Sequence, residues 1–339
     1  MTDPTVTYSW CRPGNERVPL DDAVLGRKEE VYLALGLHLS DEAAMDDLMD
    51  RTRGGVASGS LRKESADEAE EAGCASPGAS ASKPSRIGSK SPCPQCHTVR
   101  NNRIYCYECL LPLPGISLPR LGARLPVNLV LIRHPKEPRS KSSAVHAQVI
   151  AGAEQVRTLE VPLAQDVSFD PATTCVVFPG PTAKAVAELG NLSELKTVVV
   201  LDSTWSDAGK LSRLPQLDGL PRVQLKSYTT FFWRYQRKPD SHLATIEAIY
   251  FFFRELCEAS LAARGERYDG RFDNLLAIYC AQFRKIVREE RLLRKRKEPP
   301  APEQAEQAAE AAQQAQEAEQ AQQAQQAAPA QAQELFYDK

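Results

Sequence analysis

The chain has 339 residues and a formal charge of only −2, but its charge is unevenly distributed. Residues 93–297 contain 30 Lys and Arg against 20 Asp and Glu, or +10, whereas the rest contains 12 against 24, or −12. A basic folded unit with acidic flanks favours a polyanionic partner such as RNA, the alternative being basic residues spread evenly over a soluble protein. No run of 18 apolar residues is present, so we expect no transmembrane helix and no membrane partner.

Composition divides the chain into five segments. Residues 1–53 form an N-terminal extension in which clustered apolar residues predict a small helical element. Residues 54–92 are mostly Gly, Ser, Ala and Glu, which predicts a disordered linker. A cysteine module at 93–116 precedes the main folded domain at 117–297. Residues 298–339 are rich in Ala, Gln and Glu and have little to bury, so we expect a disordered tail with at most transient helix.

Four of the nine cysteines form two C-x-x-C pairs, Cys93 with Cys96 and Cys106 with Cys109. Each pair can place two thiolates on one metal ion, and two pairs complete a closed tetrahedral shell. Four soft thiolates without an open position favour structural Zn²⁺ in a zinc-ribbon-like module. His97 is a competing ligand, and four ordinary free cysteines are the alternative.

Cysteines used in this way indicate a reducing compartment. The N-terminus also lacks a basic region followed by an apolar run, so no secretory signal is predicted and we expect an intracellular protein. The basic run Arg294–Lys297 is either a solvated RNA-binding helix end or a nuclear-import signal, which leaves nucleus, cytoplasm or both.

Polar clusters follow two apolar runs of the main domain. The run 127–132 ends at Arg133, and the run 197–201 ends at Asp202. Continuous Val, Ile and Leu residues are typical of strands covered on both faces in parallel sheets, whose ligands lie outside the carboxyl ends of the strands. We therefore predict one site formed by Arg133, His134, Lys136 and Glu137 together with Asp202, Ser203, Thr204 and Trp205.

The remaining pattern alternates strands with helices and predicts an α/β fold with a parallel sheet. The predicted strands are 127–133, 174–178, 196–201 and 222–227, and the predicted helices are 141–151, 182–189, 205–213, 241–263 and 271–291.

Ordered motifs within this domain resemble a known family. Asp202–Trp205 fits the D-x-T-W signature of the DTW-domain tRNA-uridine aminocarboxypropyltransferases, with Ser203 where many relatives have Gly. The resemblance covers Cys93 to Arg291. The other matching blocks are His134–Glu137, Lys141–Ala147, Phe178–Gly180, Thr230–Gln236 and Leu243–Ala248. The last two of these blocks are most similar to the first eukaryotic paralogue, which is assigned to the D-loop uridine at tRNA position 20.

The resemblance implies a SPOUT-like, trefoil-knotted parallel sheet with helices on both faces, preceded by the zinc module. It implies transfer of the 3-amino-3-carboxypropyl group of S-adenosyl-L-methionine to N3 of a tRNA uridine, with release of 5′-methylthioadenosine. The sequence itself gives no evidence of an obligate protein partner. The alternatives are an aminocarboxypropyl- or methyltransferase acting on rRNA, and a non-catalytic zinc-containing RNA-binding protein.

The strand-end residues receive the catalytic roles. Asp202 is either the base for the uridine N3 proton or the group that holds the amino group of the donor, unless it is only a helix N-cap. Trp205 either stacks on a base or packs in the core, and Thr204 starts the same helix. His134 and Glu137 are a second acid/base candidate, with a hydrogen-bonded core histidine as the alternative.

Two further sets are assigned to ligands. Mixed aromatic and basic residues near 229–238 suit stacking on an extruded base while cations hold the backbone. The predicted donor-binding residues are Ser142, Ser143, Phe178, Pro179, Gly180 and Ser203. The predicted RNA-binding residues are Arg133, Lys136, Trp233, Arg234, Tyr235 and Arg237.

Overall fold

A computed structural model describes residues 22–40, 42–52, 91–99, 104–190, 192–233, 238–295, 310 and 313–323. Nearly all of the predicted linker and most of the predicted tail lie outside these residues. The described residues up to Arg288 belong to one compact unit, and those from Glu289 belong to a second, in which residues 313–323 are helical and exposed. Among the described residues, no helix combines the length and apolar character needed to cross a bilayer.

Two helices, α1 (Asp22–Ala34) and α2 (Glu42–Thr52), lie within the predicted N-terminal extension. The Lys28 ammonium group on α1 is buried and donates to the Thr230 carbonyl and to Asp240, both at 2.7 Å. On α2, Asp46 pairs with Arg284 at 2.9 Å. Both helices are therefore bound to the main domain by charged contacts as well as by packing.

The cysteine module contains a short antiparallel hairpin. Its strands are β1 (Tyr105–Cys106) and β2 (Leu111–Pro112). Ile104 and Tyr105 are buried in one core cluster with Met45 of α2 and Val145 of the main domain. This cluster attaches the module to the rest of the unit.

The main domain is built on six parallel strands. Their order across the sheet is β4-β3-β7-β5-β8-β6, so the long apolar strands β3 and β7 lie next to each other inside it. This arrangement confirms the predicted α/β fold with a parallel sheet. The strands are β3 (Asn128–Arg133), β4 (Val156–Glu160), β5 (Thr174–Val177), β6 (Lys184–Ala185), β7 (Thr197–Asp202) and β8 (Arg222–Gln224).

Helical elements cover the two faces of the sheet. Alternate residues of β3 point to opposite faces, so Leu129 and Leu131 join one core cluster while Val130 and Ile132 join another. The first cluster contains residues of α3 and α5, and the second contains Leu211 of α4. The helices are α3 (Val145–Ala151), α4 (Trp205–Leu211), α5 (Thr245–Ala262) and α6 (Ala277–Lys295).

Two sequence predictions fail at the edges of the sheet. The predicted helix 182–189 is wrong, because this segment forms the edge strand β6 followed by a single 3-10 turn, Val186–Glu188. The opposite edge strand, β4, was not predicted. Each edge strand has only one neighbour in the sheet, so neither carries the continuous apolar pattern of a central strand.

Candidate active site

Charged side chains from three adjacent strands lie in one row at the carboxyl edge of the sheet. In the strand register Arg133 of β3 stands between Glu160 of β4 and Asp202 of β7. The chain then turns, and the His134 amide donates to the Asp202 carbonyl at 3.0 Å. The two predicted clusters therefore meet, as expected for parallel strands that end at one edge.

Asp202 is 3% exposed and is surrounded by polar groups. The Ser142 hydroxyl donates to Asp202 Oδ2 at 2.8 Å. Burial raises the pKa of Asp202, while hydrogen bonds from Ser142 and Thr245 and the charge of Arg133 oppose the increase. The result is a carboxyl group that is a stronger base than an exposed aspartate and is held in a fixed position.

The turn that carries Ser142 and Ser143 connects the starts of two helices. Ser142 Oγ also accepts from the Ala144 amide at 3.1 Å. Ser143 Oγ accepts from the Ile246 amide in the first turn of α5 at 3.3 Å. The two serines therefore hold both Asp202 and the start of α5. The predicted donor contacts of these serines stay predictions.

The start of α4 forms a second polar group beside Asp202. Thr204 is the N-cap residue, and its hydroxyl donates to Asp207 Oδ2 at 3.0 Å. Hydrogen bonds from Lys210 and Thr204 lower the pKa of Asp207, and the charge of His134 acts in the same direction. Trp205 is half-buried, with its ring edge-on to His242 at a centroid distance of 5.2 Å.

The turn after β3 orders the second acid/base candidate. The Lys136 amide donates to His134 Nδ1 at 3.2 Å, and the Glu137 amide donates to the His134 carbonyl at 2.9 Å. Because Nδ1 accepts this hydrogen bond, a neutral His134 carries its hydrogen on Nε2. His134 and Glu137 are half-buried and Lys136 is exposed, so the turn is accessible from solvent.

The third strand end offers an open approach to the backbone. Phe178 follows β5 and is half-buried, with the Arg222 guanidinium group 5.7 Å from its ring centroid. A side chain added at Gly180 would meet no atom within 4 Å.

Ser203, the other predicted donor-binding residue, follows β7. It is half-buried, and its hydroxyl donates to the Thr204 carbonyl at 3.0 Å. Donor binding by Phe178, exposed Pro179, Gly180 and Ser203 stays a prediction.

The predicted RNA-binding residues do not share one environment. Arg133 is buried and pairs with Glu160. Trp233 is 7% exposed and packs against Tyr279 at a centroid distance of 5.1 Å, which favours a core role. Lys136 is the exposed member of this set within the described part of the chain. The other three, Arg234, Tyr235 and Arg237, lie outside the described residues.

Two residues that were not predicted as part of the site support it from the start of α5. Thr245 hydrogen-bonds Asp202, and Glu247 is fully buried two residues later. Glu247 accepts from the Thr230 hydroxyl at 2.6 Å and from the amides of Phe231 at 3.0 Å and Ala244 at 2.6 Å. Burial raises the pKa of Glu247 to about 7. The sequence placed Thr245 and Glu247 at the start of a predicted helix. It did not indicate which strand end this helix start would face.

The four predicted metal ligands lie together. Their sulfur atoms are all within 4.8 Å of one another, and the Sγ atoms of Cys96 and Cys106 are 3.9 Å apart. A tetrahedral ion with metal–sulfur bonds of about 2.3 Å requires sulfur–sulfur distances of about 3.8 Å, so the cluster fits a metal ion.

The two C-x-x-C turns also repeat the same backbone geometry. His97 and Leu110, which follow the second cysteine of each pair, have φ angles of 55° and 61°. Their amides donate to the carbonyls of Cys93 and Cys106 at 2.9 Å and 2.7 Å. His97 therefore serves as a turn residue, and the cluster of possible metal ligands consists of the four cysteines.

The chain matches the family model described as the DTW domain over residues 103–287. It is 31% identical over 254 residues to tRNA-uridine aminocarboxypropyltransferase 1 of Rattus norvegicus, with 62% of this chain and 82% of that protein covered. It is 28% identical over 240 residues to the protein of the same name in Homo sapiens, with 58% and 77% covered.

Among solved structures, the chain matches that of the SAM-dependent rRNA:acp-transferase Tsr3 from Vulcanisaeta distributa. That match has 18% identity and a TM-score of 0.29, and covers 48% of this chain and 84% of the other. It is too distant to bear on fold or mechanism. The family match spans more than half of the chain, and it includes the strand ends and the helix starts that surround Asp202. The chain therefore belongs to the DTW domain family, together with the proteins named tRNA-uridine aminocarboxypropyltransferase 1.

Proposed function

We propose that this protein transfers the 3-amino-3-carboxypropyl group of S-adenosylmethionine to N3 of a uridine in tRNA. The observation that carries the proposal is the buried, hydrogen-bonded Asp202 of the D-x-T-W motif at the sheet edge, in a chain of this family. The name shared by its relatives supports aminocarboxypropyl transfer and a tRNA substrate. We further infer the D-loop uridine at position 20, from the similarity to the first paralogue.

The reaction exchanges one bond for another. The N3 lone pair of uracil forms a bond to Cγ of the donor, the carbon that joins the aminocarboxypropyl chain to sulfur. The bond between Cγ and sulfur breaks with its electron pair left on sulfur. The neutral product is 5′-methylthioadenosine, and the N3 proton must pass to a base. Alignment of the two reacting atoms supplies about 7–11 kcal/mol of the barrier reduction in reactions of this kind.

Asp202 has two roles that its geometry supports. With a raised pKa, its carboxylate is better suited than an exposed aspartate to accept the N3 proton. The same carboxylate can instead bind the ammonium group of the donor and fix its position. Ser142 and Thr245 would orient Asp202 in both roles. Under this proposal the reacting carbon lies near the ends of β3 and β7.

The remaining strand-end groups suit binding and orientation. Lys136 and Lys141 are exposed on the segment that carries His134 and Ser142, and both can contact RNA phosphates. Half-buried Trp205 presents a ring that can stack on adenine or uracil. His134 provides a second proton acceptor or donor beside Asp207.

We also propose that the four cysteines bind Zn²⁺ and that the sheet has a SPOUT-like, knotted topology. Four thiolates around one ion suit Zn²⁺ better than metals that prefer oxygen ligands. The ion would have a structural role, since four cysteines leave no open position for substrate. Nuclear import through Arg294–Lys297 stays part of the proposal.

Incubation of the purified protein with S-adenosylmethionine and a tRNA transcript, followed by nucleoside mass spectrometry, tests the reaction. We expect a uridine heavier by one aminocarboxypropyl group, and sequencing of the digested RNA to place it in the D-loop. A gain of one methyl group would show a methyltransferase instead. Modification of rRNA but not tRNA would contradict the proposed substrate.

A further inference from the structure

The four-cysteine module contacts the segment 133–146, which carries part of the candidate active site, at Arg139 and at His146. We propose that this module is a positioning element for the segment 133–146, which carries His134, Glu137, Ser142 and Ser143, and that Arg139 is the residue that connects them. The catalytic consequence of this inference rests on the proposed function, whereas the structural connection does not. Two sets of contacts, one polar and one aromatic, support it.

The polar connection is a bridge made by one guanidinium group. Arg139 Nη1 donates to the Glu108 carbonyl at 3.2 Å and lies 3.3 Å from the Glu108 carboxylate. Its Nη2 atom donates to Glu160 Oε1 at 2.6 Å. Glu160 also pairs with Arg133, which stands next to Asp202 in the strand register. A continuous line of charged groups therefore runs from the cysteine module to Asp202.

Glu108 lies between Cys106 and Cys109, so a metal ion would fix the turn on both sides of it. With the ion bound, the Glu108 carbonyl presents a fixed acceptor to Arg139. Without it, the C-x-x-C turn loses its main constraint, because metal binding and local folding are coupled in such modules. The position of Arg139 would then be set by Glu160 alone.

The aromatic connection reaches the other end of the same segment. Tyr105, next to Cys106, packs edge-on against His146 at a centroid distance of 5.8 Å. His146 is buried in α3, directly after the turn that holds Ser142 and Ser143. The module thus contacts segment 133–146 at Arg139 and again at His146. Between these contacts lie the serines that hold Asp202 and the start of α5.

The bridge requires arginine. A guanidinium group can donate in two directions at once, whereas the single ammonium group of lysine cannot keep both the Glu108 and the Glu160 contact in this geometry. The side chain of Arg139 is 30% exposed, so its ion pairs add little to global stability. The effect of the bridge should therefore be local, and a change in melting temperature is not the readout that detects it.

Amide hydrogen exchange on the full-length, zinc-loaded protein tests the connection. Within the segment, the amides of His134, Glu137, Lys141 and Ser142 are hydrogen-bonded, so each should be protected. In Arg139→Ala and Arg139→Lys we expect these amides to exchange about tenfold faster, with zinc content unchanged. Stripping the metal from the wild-type protein should produce an equal or larger increase at the same amides.

The control is Arg157→Ala, which removes an exposed arginine from β4. It should leave exchange in the segment unchanged. Unaltered exchange in both Arg139 variants, or in the stripped wild-type protein, would overturn the proposed connection. These readouts need neither donor nor RNA, so they remain decisive even if no aminocarboxypropyl transfer is found.

The catalytic consequence is measured separately. If the proposed function holds, Arg139→Ala should lower kcat about tenfold or more at full zinc occupancy, because small displacements of aligned groups slow a reaction strongly. Arg139→Lys should not restore the rate, and KM for the donor should change less than kcat. A wild-type kcat in Arg139→Ala would overturn the positioning role even where the exchange data support the contact.

Discussion

Asp202 illustrates how the fold changes the chemistry of one carboxyl group. An exposed aspartate is too weak a base for the N3 proton of uridine, but the end of β7 removes Asp202 from water and raises its pKa. Ser142, Thr245 and the charge of Arg133 limit that increase and fix the orientation of the carboxylate. A base that is both stronger and preoriented is what the proposed reaction requires.

Replacement of Asp202 tests this role. Asp202→Asn preserves the shape of the side chain and its acceptor for Ser142, but removes the proton acceptor. We expect kcat to fall about 10²–10⁴-fold. Because burial raises the pKa of Asp202, its charge opposes folding near neutral pH, so the free energy of unfolding should stay equal or rise.

The control for this variant is Asp218→Asn, which changes an exposed aspartate after β7 and should leave both quantities unchanged. A fully active Asp202→Asn protein would remove Asp202 from the mechanism. A large loss of stability in Asp202→Asn would instead assign the carboxylate a structural role.

The sequence predicted the residues that follow the apolar strands, but not the residues that support them. The end of β7 can be predicted from the sequence because a run of Val and Leu stops at Asp202. The bridge of Arg139 between Glu108 and Glu160 cannot be predicted from the sequence, because it joins three segments whose proximity depends on the tertiary fold. Trp233 shows the same limit, since an aromatic next to basic residues suits both RNA stacking and the core position that it occupies.

At the scale of elements, the start of α5 depends on one buried acid. Glu247 accepts three hydrogen bonds that connect Ala244 at the N-cap of the helix with Thr230 and Phe231. The pKa of Glu247 is raised to about 7, chiefly by burial. Thr245 hydrogen-bonds Asp202, and the Ile246 amide donates to Ser143 Oγ. Glu247 therefore supports the site as well as the helix.

The raised pKa of Glu247 predicts a pH-dependent stability. The folded state binds this proton more tightly than the unfolded chain, so the free energy of unfolding should fall as pH rises from about 4.5 to about 7 and then level off. At about 1.4 kcal/mol per pKa unit, the fall attributable to Glu247 is on the order of 3 kcal/mol. Urea unfolding of the wild-type protein and of Glu247→Gln across this range measures it.

Glu247→Gln should be less stable at every pH, since it has one acceptor oxygen for three donors, but its curve should be flatter. Other titrating groups contribute to both curves equally, so the difference between the curves isolates Glu247. Parallel curves would contradict a raised pKa at this position.

The N-terminal helix α1 provides a second element-scale prediction. Lys28 is 8% exposed and donates to the Thr230 carbonyl and to Asp240. Lys28→Met keeps the apolar stem but leaves these acceptors without the ammonium group, so the free energy of unfolding should fall by about 1–3 kcal/mol. Thermal and urea unfolding measure the loss.

Arg27→Met, at the exposed neighbouring position, is the matched control and should change stability by no more than about 0.5 kcal/mol. Equal stability of the two variants would show that α1 does not stabilise the segment around Thr230.

The central elements were more predictable than the edges. Strands β3, β5 and β7 are covered on both faces, which requires the apolar runs that the sequence displays. Edge strands β4 and β6 pair on one side only, and their mixed patterns resemble loops or helix. Lys184–Ala185 forms strand because β8 offers a free edge, a condition that local sequence does not encode.

At the scale of the whole molecule, the cysteine module and the α1–α2 pair are integral to the unit that carries the site. Their residues share core clusters with the sheet and its helices. Helices α1 and α2 and the first cysteine pair lie outside residues 103–287, which match the family model, whereas Ile104 and Tyr105 of the module lie inside them. The unit that carries the site is therefore larger than the part that matches the family model.

The metal site is tested on the whole protein. We expect about one zinc ion per chain in the native protein, lost in Cys93→Ser and Cys106→Ser, because each of these changes removes one of four thiolates. Cys257→Ser, on α5 and outside the cluster, is the control and should retain the metal. Metal-free native protein by elemental analysis would end the zinc proposal.

The chemistry itself is tested most directly by the small-molecule product of a single turnover. Protein in excess over tRNA is mixed with S-adenosylmethionine, and the quenched reaction is resolved by chromatography with mass detection. We predict one 5′-methylthioadenosine for each uridine modified, and at least a 10²-fold slower release in Asp202→Asn. Appearance of S-adenosylhomocysteine in its place would contradict aminocarboxypropyl transfer. Release of 5′-methylthioadenosine at the wild-type rate by Asp202→Asn would contradict the role of Asp202 in that transfer.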